Sequence, residues 1–584
     1  MAIADPARDL WRIEQLPARG RGVVAARDLP ASTLLHKVAP TAFVVDDARL
    51  GEHCCVCMAR TGAAECAPCA RCGFGGLCAA CAGAPARRRV HELECASLER
   101  LRSSGMDLRG DTRALRLLVR LLLRMRAARL GEPPARWWPV DASWSDVGSL
   151  AELVGLEDLN ESDSEGGDGC DDPTTAEPGA FAQRAQYERA ADAEASMPLE
   201  HKLQMIAQQA RFVVDSDCRL GHAAAVRLLG QLCLNCHEIV DAEALEREIG
   251  LGIFPPLAAF NHACAPNVHM HTSADGCLCA RLVLPVRAGD ELTICYVDPY
   301  QPRATRQRQL RAGYRFDCTC ERCADEAVSA RAEDDELGAA LAGPRAPRAP
   351  APKRARAAEP DRALSADGDT ECALRALEER AIRSMRAGRL AAASRQLDEL
   401  LALARARLHP RHARCRRARV YAAACARARS RWLEVGVHAR ALVIVYSACP
   451  RARAGASSPY AAALAAAWLL LAESERECAL ALGGPAPRAR AAHRRAPDAS
   501  ARQTRSSRAL ACPPEPRASP RTRAGNVLSP ACADALQRAL ELHSLLLGDD
   551  HPLTRRLHRA AAGHGGGDVR RAALGDQEPR RCLA

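Results

Sequence analysis

Nine of the 28 cysteines lie between positions 54 and 95, and six of the nine form pairs separated by two residues. Two thiolates at this spacing can bind one tetrahedral Zn²⁺, because the turn between them directs both sulfurs inward. His91 and Cys95 can share one face of a helix and add two ligands, while Cys55 and Cys66 remain as alternates. The eight ligands predicted for two four-ligand zinc sites are Cys54, Cys57, Cys69, Cys72, Cys78, Cys81, His91 and Cys95.

Closed zinc sites of this kind stabilise a fold and do no chemistry themselves. The alternative is a set of unrelated buried thiols, which does not account for nine cysteines within 42 residues. The spacing also lacks the helix with which DNA-reading fingers enter the major groove. We therefore expect a small zinc module that presents a binding surface.

A second cysteine group, Cys318, Cys320 and Cys323 in FDCTCERC, offers three thiolates and needs a fourth ligand. Cys264, in the segment NHACAPN at 261–267, is the candidate if the chain reverses to bring it near. Such ligation would fix NHACAPN beside the later cysteines, for three zinc ions in all. The alternative is that Cys264 is an isolated buried thiol.

The segments around these cysteines alternate between strand and helix patterns. Short β-branched runs separated by Gly and Pro turns predict hairpins within 11–45, and strands are expected again within 280–297. Helical patterns cover 111–130 and 199–234. The sequence therefore predicts an α+β fold in which strands lie on both sides of a helical region.

The last third of the chain has helical patterns. Residues 369–408 and 411–472 resemble successive amphipathic helices of a stacked-hairpin domain. A further helix should begin with Ser529 as its cap and Pro530 in its first turn, and should end at Gly548. We expect a separate helical C-terminal domain, and hence a multidomain protein.

At 584 residues and 62.7 kDa the chain is long enough for two to four domains. Its net charge of +11 would ordinarily indicate a nucleic-acid partner. Only three of its 82 basic residues are lysines, however, and alanine is abundant beside arginine, which indicates GC-rich coding DNA rather than selection for phosphate binding. We expect nucleic acid not to be the primary partner.

The amino-terminal segment lacks the basic and apolar pattern of a secretion signal, so the thiols are expected to be reduced. The longest apolar run, at 460–472, is too short to cross a bilayer and predicts a buried helix. We therefore expect a protein of the nucleus and cytoplasm that does not associate with membranes.

Three segments resemble the SET domain of the SET-and-MYND (SMYD) family of protein methyltransferases. They are NHACAPN at 261–267, GDELTICYVD at 289–298 and RQRQLRAGYRFDCTCERC at 306–323. GRGVVAARDL at 20–29 resembles the first strands of the same domain, and the cysteine pairs resemble the MYND finger that splits it. LHPRH at 408–412 and the closing LLLGDDHPLTRRL are similar to the family's helical C-terminal domain, particularly in its arthropod branches.

This resemblance divides the chain into parts. The predicted parts are 1–50 for the first portion of the SET domain, 54–95 for the MYND finger, 100–250 for a helical insert, 251–324 for the catalytic core and post-SET zinc site, 325–368 for a linker and 369–584 for the C-terminal domain. Two segments with the composition of disordered chain interrupt them, an acidic one at 157–182 and an arginine-rich one at 485–526.

The resemblance implies a protein-lysine N-methyltransferase that uses S-adenosylmethionine on a histone or non-histone protein and regulates chromatin and transcription. It places the cofactor against the turn of Gly20, Arg21 and Gly22, where missing side chains would let the ligand approach the backbone. Asn261 and His262 would hold the amine, adenine and carboxylate regions. The other implied cofactor contacts are Asn235, Tyr296 and Phe316, and the Phe316 ring would stack on the adenine.

The resemblance also implies that the target lysine enters between Tyr296 and Tyr314, from the face opposite the cofactor. Methyl transfer needs an uncharged amine in line with the sulfonium methyl group, with the reacting atoms roughly 3–3.5 Å apart. It needs no strong general base, which agrees with a site that lacks paired carboxylates.

The chain departs from the family at two points. In the family, the third cysteine pair of the finger usually has three intervening residues. Cys78 and Cys81 have two, so the resemblance leaves open whether Cys81 binds zinc. Cys236 and His237 stand where the family more often has a small residue and Phe, so a contact near the cofactor becomes polar and titratable. The alternative function is therefore an adaptor with a weak or inactive site, whose MYND surface binds proline-containing peptides in transcriptional repression. For either function we expect a monomer.

Overall fold

A computed structural model of the protein describes part of the chain. The described residues are 9–17, 19–61, 66–104, 112–131, 153, 199–241, 248–324, 337, 361–448, 460–483 and 529–562. The predicted segments 157–182 and 485–526 lie outside these ranges, as does most of the predicted linker.

Ten short strands form three sheets within the described ranges. In chain order, β1 to β10 are Trp11–Leu16, Gly20–Ala25, Leu34–Val38, Ala42–Val45, Cys236–Val240, Glu248–Ile253, Asn261–His262, Val268–Thr272, Leu278–Leu282 and Glu291–Ile294. The strand orders are β1-β2-β10-β7, β3-β9-β8 and β4-β6-β5. Each sheet therefore combines strands from before residue 46 with strands from after residue 235.

The first two strands form the predicted hairpin, in which Trp11 lies opposite Ala25 and Leu16 opposite Gly20. The core between the sheets is also formed by residues from two parts of the chain, one before the end of β4 and one after the start of β5. Val23 from β2 and Phe260 before β7 are both fully buried in this core. Because neither end can complete a sheet or this core alone, the residues between β4 and β5 are an insertion into one folded unit.

Helices α1 to α5 lie within this insertion, and α6 and α7 follow the last strand. Their bounds are Ala79–Gly83, Pro85–Ser103, Arg113–Arg129, Leu199–Val213, His222–Asn235, Arg303–Tyr314 and Glu321–Ala324. Helices α3, α4 and α5 confirm the helical patterns at 111–130 and 199–234. Helix α3 is buried on nearly every side, and the leucines Leu117, Leu118 and Leu121 are fully enclosed.

Seven helices, α8 to α14, lie in the described residues after position 360, and each packs against the next. Their bounds are Asp361–Arg386, Leu390–Arg407, Ala413–Ala428, Trp432–Ser447, Ala461–Gly483, Pro530–Leu547 and Pro552–Ala562. Helix α8 begins inside the range predicted as linker. Helix α13 has the predicted ends: the Ser529 hydroxyl accepts a hydrogen bond from the Cys532 N–H at 3.1 Å, and Gly548 follows the last turn with φ of 83°.

The predicted α+β multidomain class is confirmed by these elements. The apolar run at 460–472 falls in α12, where Ala465 and Ala467 are buried. Among the helices that the structure describes, none combines the length and the apolar character needed to cross a membrane.

The stack of helices docks onto the β-rich unit through aromatic side chains. The Arg322 guanidinium donates to the Tyr460 hydroxyl at 2.7 Å and lies over that ring. Tyr300, whose ring centroid is 4.9 Å from that of Tyr460, donates its hydroxyl hydrogen to the Arg411 carbonyl at 3.0 Å. Both contacts are largely buried, so they hold the two parts in a defined relation.

The buried arginine Arg120, in α3, joins the cysteine-rich segment to the sheets. Its guanidinium donates to the Glu94 carboxylate at 2.5 and 2.8 Å and to the carbonyls of Phe43 and Cys55 at 2.5 and 3.2 Å. Burial by itself would raise the pKa of Glu94, but the Arg120 charge, together with the hydrogen bonds and charge that His91 and Arg120 supply, holds that pKa at about 2. The ion pair therefore remains charged at neutral pH and spans three parts of the fold.

Replacing Arg120 by alanine is expected to lower the free energy of unfolding by about 3–5 kcal/mol, because Glu94 would stay buried without its partner. Urea denaturation followed by circular dichroism measures this change. The matched control is Arg126→Ala on the same helix, whose pair with Asp217 is exposed, and it should leave the denaturation midpoint nearly unchanged. Equal shifts in the two variants would contradict the expectation.

Candidate functional site

The eight predicted ligands of the cysteine-rich segment form two groups of four, and the groups interleave along the chain. Within each group all ligand atoms lie within 4.8 Å of one another. The first and third cysteine pairs form one group, which includes Cys81. The second pair forms the other group together with His91 and Cys95 of helix α2. The groups are Cys54, Cys57, Cys78 and Cys81, and Cys69, Cys72, His91 and Cys95.

The distances within these groups suit zinc. Cys57 Sγ is 3.6 Å from Cys78 Sγ, and Cys69 Sγ is 3.8 Å from Cys95 Sγ. Four sulfurs at about 2.3 Å from a tetrahedral Zn²⁺ would be about 3.8 Å apart. The His91 ring packs so closely on the preceding loop that a Cβ at Gly75 would lie 2.3 Å from its Cε1. Position 75 therefore requires glycine.

A carboxylate stands behind the histidine ligand. His91 Nε2 is 3.9 Å from Cys72 Sγ, and Nδ1 on the other side of the ring is 3.7 Å from Glu94 Oε1. Metal-bound histidines are commonly oriented by such a carboxylate. Of the alternates, Cys55 lies near His91 and Glu94, and Cys66 is buried outside the three four-ligand groups.

The third group brings Cys264 to the C-terminal cysteines, as predicted. Its Sγ is 3.5 Å from Cys323 Sγ and 3.9 Å from Cys318 Sγ, and its N–H points at Cys320 Sγ at 3.4 Å. Arg306, which has no solvent exposure, donates from Nε to the Cys264 sulfur at 3.3 Å. The three groups together confirm the prediction of zinc as a cofactor.

His262 is fixed from both sides of its ring. Nδ1 accepts a hydrogen bond from the Tyr296 N–H at 2.9 Å, so the ring proton is on Nε2, which lies 3.3 Å from Cys264 Sγ. The ring is 2% exposed, and this burial lowers the pKa of His262 to about 4. A neutral imidazole therefore links strand β7 to the third cysteine group.

The two glycines of the predicted cofactor turn differ in their surroundings. Gly20 has φ of 64°, and a Cβ added there would meet nothing within 4 Å. A Cβ on Gly22 would lie 2.7 Å from Asn261 Nδ2 and 2.4 Å from Leu16 Cδ1. Position 22 therefore requires glycine because the side chains of Leu16 and Asn261 occupy the space that a Cβ would need. At Gly20 the space beside the turn is open.

The aromatic residues predicted for the site gather over the third cysteine group. The rings of Tyr296 and Tyr314 are 4.7 Å apart, and the Phe316 ring is 6.1 Å from that of His262. The Tyr296 hydroxyl donates to the Phe260 carbonyl at 2.7 Å. Burial raises the pKa of Tyr296 above its usual value, so this hydroxyl stays protonated at neutral pH.

Asn235 and its neighbours approach the same region from α5. Asn235 is the last residue of that helix and donates from Nδ2 to the Gln231 carbonyl at 2.7 Å, and Leu234 packs against the third cysteine group. His237, in β5, meets the edge of the Phe254 ring at 6.1 Å. Burial lowers the pKa of His237 to about 4 and raises the pKa of Cys236, so both side chains are uncharged at neutral pH.

Three residues of the site were not singled out from the sequence: Arg19, Glu291 and Arg306. Arg19 precedes the glycine turn and Glu291 lies within GDEL, so both stood beside quoted motifs. Arg306 lies in an arginine-rich helix whose other arginines hide any pattern. No local signal distinguishes these residues, because their partners are distant in sequence.

A family model of the SET domain matches residues 20–297. Histone-lysine N-methyltransferase SMYD3 from Mus musculus is 38% identical over 88 residues, 15% of this chain and 20% of that protein. N-lysine methyltransferase SMYD2-A from Xenopus laevis is 25% identical over 308 residues, 53% of this chain and 59% of that protein. The matched segments thus span less than two thirds of either relative.

Among solved structures, the SET domain of LSMT bound to lysine and AdoHcy is similar to this chain with 14% identity and a TM-score of 0.24. The likeness covers 57% of this chain and 60% of that one.

Metal analysis of the purified protein should find three zinc ions per chain. Cys264→Ala should reduce the content to two, because three thiolates without the fourth hold zinc weakly. The matched control is Cys277→Ala, which removes a thiol that is equally buried and outside the three groups, and it should retain three zinc ions. A Cys264→Ala protein with three zinc ions would contradict the third site.

Proposed function

We propose that this chain, which belongs to the SET and MYND domain-containing family, transfers methyl groups from S-adenosylmethionine to a lysine side chain of a protein. The observation that carries the proposal is a convergence: β2, β7 and β10 meet in one sheet, and the Tyr296 and Tyr314 rings contact each other next to it, with centroids 4.7 Å apart and planes tilted by 38°. These are the elements that the sequence resemblance assigns to the cofactor and to lysine.

The cofactor would lie along the Gly20 turn and strand β7. The open space at Gly20 and the exposed Arg21 allow close approach to the backbone there. The half-buried Phe316 ring offers a face on which adenine can stack. Asn261 offers hydrogen-bonding groups for the amino-acid part, and the rigid His262 holds its strand in place.

The tyrosine pair would form the lysine channel. Bonds from the Tyr296 N–H and hydroxyl, at 2.9 and 2.7 Å, fix that ring, and the Tyr314 ring covers it. An uncharged amine held beside the two rings would attack the methyl carbon as the sulfur–carbon bond breaks. The sulfonium would become a thioether, and the methylated ammonium would lose its proton to bulk water after it leaves the channel. The buried Tyr314 and the half-buried Tyr296 would limit the access of water to the channel and orient the amine toward the methyl group.

The substrate that we propose is a histone or non-histone protein, methylated in the nucleus or cytoplasm in the regulation of chromatin and transcription. The closed zinc module would present a surface for proline-containing peptides, and a monomer would suffice for catalysis. The alternative, an adaptor with a weak site, rests on the finger surface and on His237. The neutral state of His237 and its packing on Phe254 favour the enzyme, because no charge is placed beside the cofactor.

Calorimetric titration of the zinc-loaded protein with S-adenosylmethionine should show binding in the micromolar range. His262→Ala should abolish detectable binding, because it removes both bonds that position β7. His269→Ala changes a partly buried histidine in β8 of the same unit and should bind like the wild type. A folded wild-type protein that releases no heat would favour the adaptor.

Tyr296→Phe should separate binding from chemistry. The ring and its packing remain, but the hydroxyl is lost, so we expect the Kd for S-adenosylmethionine to change less than threefold and methyl transfer to fall by about 100-fold. Transfer of radioactive methyl groups to core histones measures the rate. Tyr446→Phe, in α11, is the control and should keep both values. Unchanged transfer by Tyr296→Phe would exclude the proposed role of its hydroxyl.

A further inference from the structure

The amide of Asn261 has a defined orientation. Its Nδ2 donates to the Glu291 carboxylate at 2.9 Å and to the Arg21 carbonyl at 3.1 Å, and the Arg19 carbonyl lies 3.4 Å from the same nitrogen. A side-chain amide has two N–H donors and one carbonyl acceptor. Because the protein uses both donors, the amide oxygen is the group that Asn261 can offer to a ligand.

Glu291 is itself held in place. Its second carboxylate oxygen is 3.0 Å from the Arg19 guanidinium, and Arg19 donates from its other nitrogen to the His262 carbonyl at 2.7 Å. The main-chain carbonyl of Glu291 accepts a further bond from Asn267 at 2.8 Å. The Glu291 side chain is only 19% exposed, so these bonds are partly shielded from water.

The Arg19 guanidinium, the Glu291 carboxylate, the Asn261 amide and the His262 carbonyl form a closed ring of contacts. This ring joins the parts of the β-rich unit that lie before and after the insertion. Arg19 belongs to the segment before the insertion, whereas Asn261, His262 and Glu291 come from after it. Gly22 makes the ring possible, because a Cβ there would lie 2.7 Å from Asn261 Nδ2 and 3.2 Å from Glu291 Oε1. The ring is therefore built into the strand that faces the proposed cofactor.

The charges and hydrogen bonds of this ring of contacts also indicate which group of a ligand could bind at Asn261. Arg19 offsets the charge of Glu291, so the carboxylate serves as an acceptor for Asn261 rather than as an ion partner for the ligand. An outward amide oxygen accepts from an ammonium and would repel a carboxylate. Without Glu291, only the Arg21 and Arg19 carbonyls, at 3.1 and 3.4 Å, would hold Nδ2, and the amide would lose its charged acceptor and rotate by half a turn more readily.

We infer that Glu291 is a positioning residue: by holding Asn261 Nδ2 it turns the amide oxygen toward the ammonium group of S-adenosylmethionine, and Arg19 anchors Glu291 in that position. The inference rests on the proposed function. It assigns to Glu291 the preference of the site for a ligand with an α-amino group.

The test compares two ligands by calorimetry: S-adenosylhomocysteine and its analogue in which hydrogen replaces the α-amino group. The wild type should prefer the amine by at least tenfold in Kd. Glu291→Ala should reduce this ratio to below about threefold, whereas Glu291→Gln keeps an acceptor oxygen and should keep most of the preference. If Glu291 only stabilised the fold, its replacement would weaken the binding of both ligands equally and leave the ratio of their Kd values unchanged.

Glu14→Ala is the matched control, because Glu14 lies opposite Gly22 in β1 and pairs with Arg12 at the exposed surface. It should leave the ratio unchanged. If Glu291→Ala does not fold, as judged by zinc content and melting temperature, Glu291→Asp replaces it, since the shorter side chain withdraws the carboxylate and should also lower the ratio.

The outcomes separate the two proposals. A Glu291→Ala or Glu291→Asp protein that keeps the wild-type preference would overturn the inference while the proposed function stands. A folded wild type that binds neither ligand would overturn the proposed function and the inference with it.

Discussion

The imidazole of His262 is the contact on which the site depends. It accepts from the Tyr296 backbone on one side and faces the Cys264 sulfur on the other. One ring thus connects the proposed cofactor strand, the lysine channel and the third zinc group. Arg306 stabilises the same sulfur from inside the core, where a thiolate without donors would be costly. The third cysteine group therefore holds the residues of the site in position, although it takes no part in the chemistry.

The same group also carries the contact with the helical stack. Arg322, one residue before Cys323, donates to the Cys264 carbonyl at 3.1 Å and to the Tyr460 hydroxyl at 2.7 Å. A displacement of the cysteines would therefore reach both the lysine channel and the neighbouring helices. This arrangement explains how a chain interrupted by a long insertion can hold a site with narrow geometric tolerance: metal bonds and buried hydrogen bonds replace continuity of sequence.

Local features were predictable because their physical causes are local. The cysteine spacings, the hairpin of β1 and β2, and the helix that begins after Ser529 each follow from neighbouring residues. The resemblance to a known family added the SET residues, and the structure brings Asn261, His262, Tyr296, Tyr314 and Phe316 together. The interleaving of the two finger sites was left open, because eight ligands at these spacings can be shared between two ions in several ways.

The sequence by itself determined which residues could bind zinc and where strands and helices would form, since both depend on residue type and short spacing. Only the tertiary structure decided which distant groups meet. Arg19 and Glu291 are 272 positions apart and pair at 3.0 Å, and Gly22 proved to make room for Asn261 rather than for a ligand. Such contacts arise because strands from both sides of the insertion share each sheet, and pairing between distant strands leaves no periodic signal along the chain.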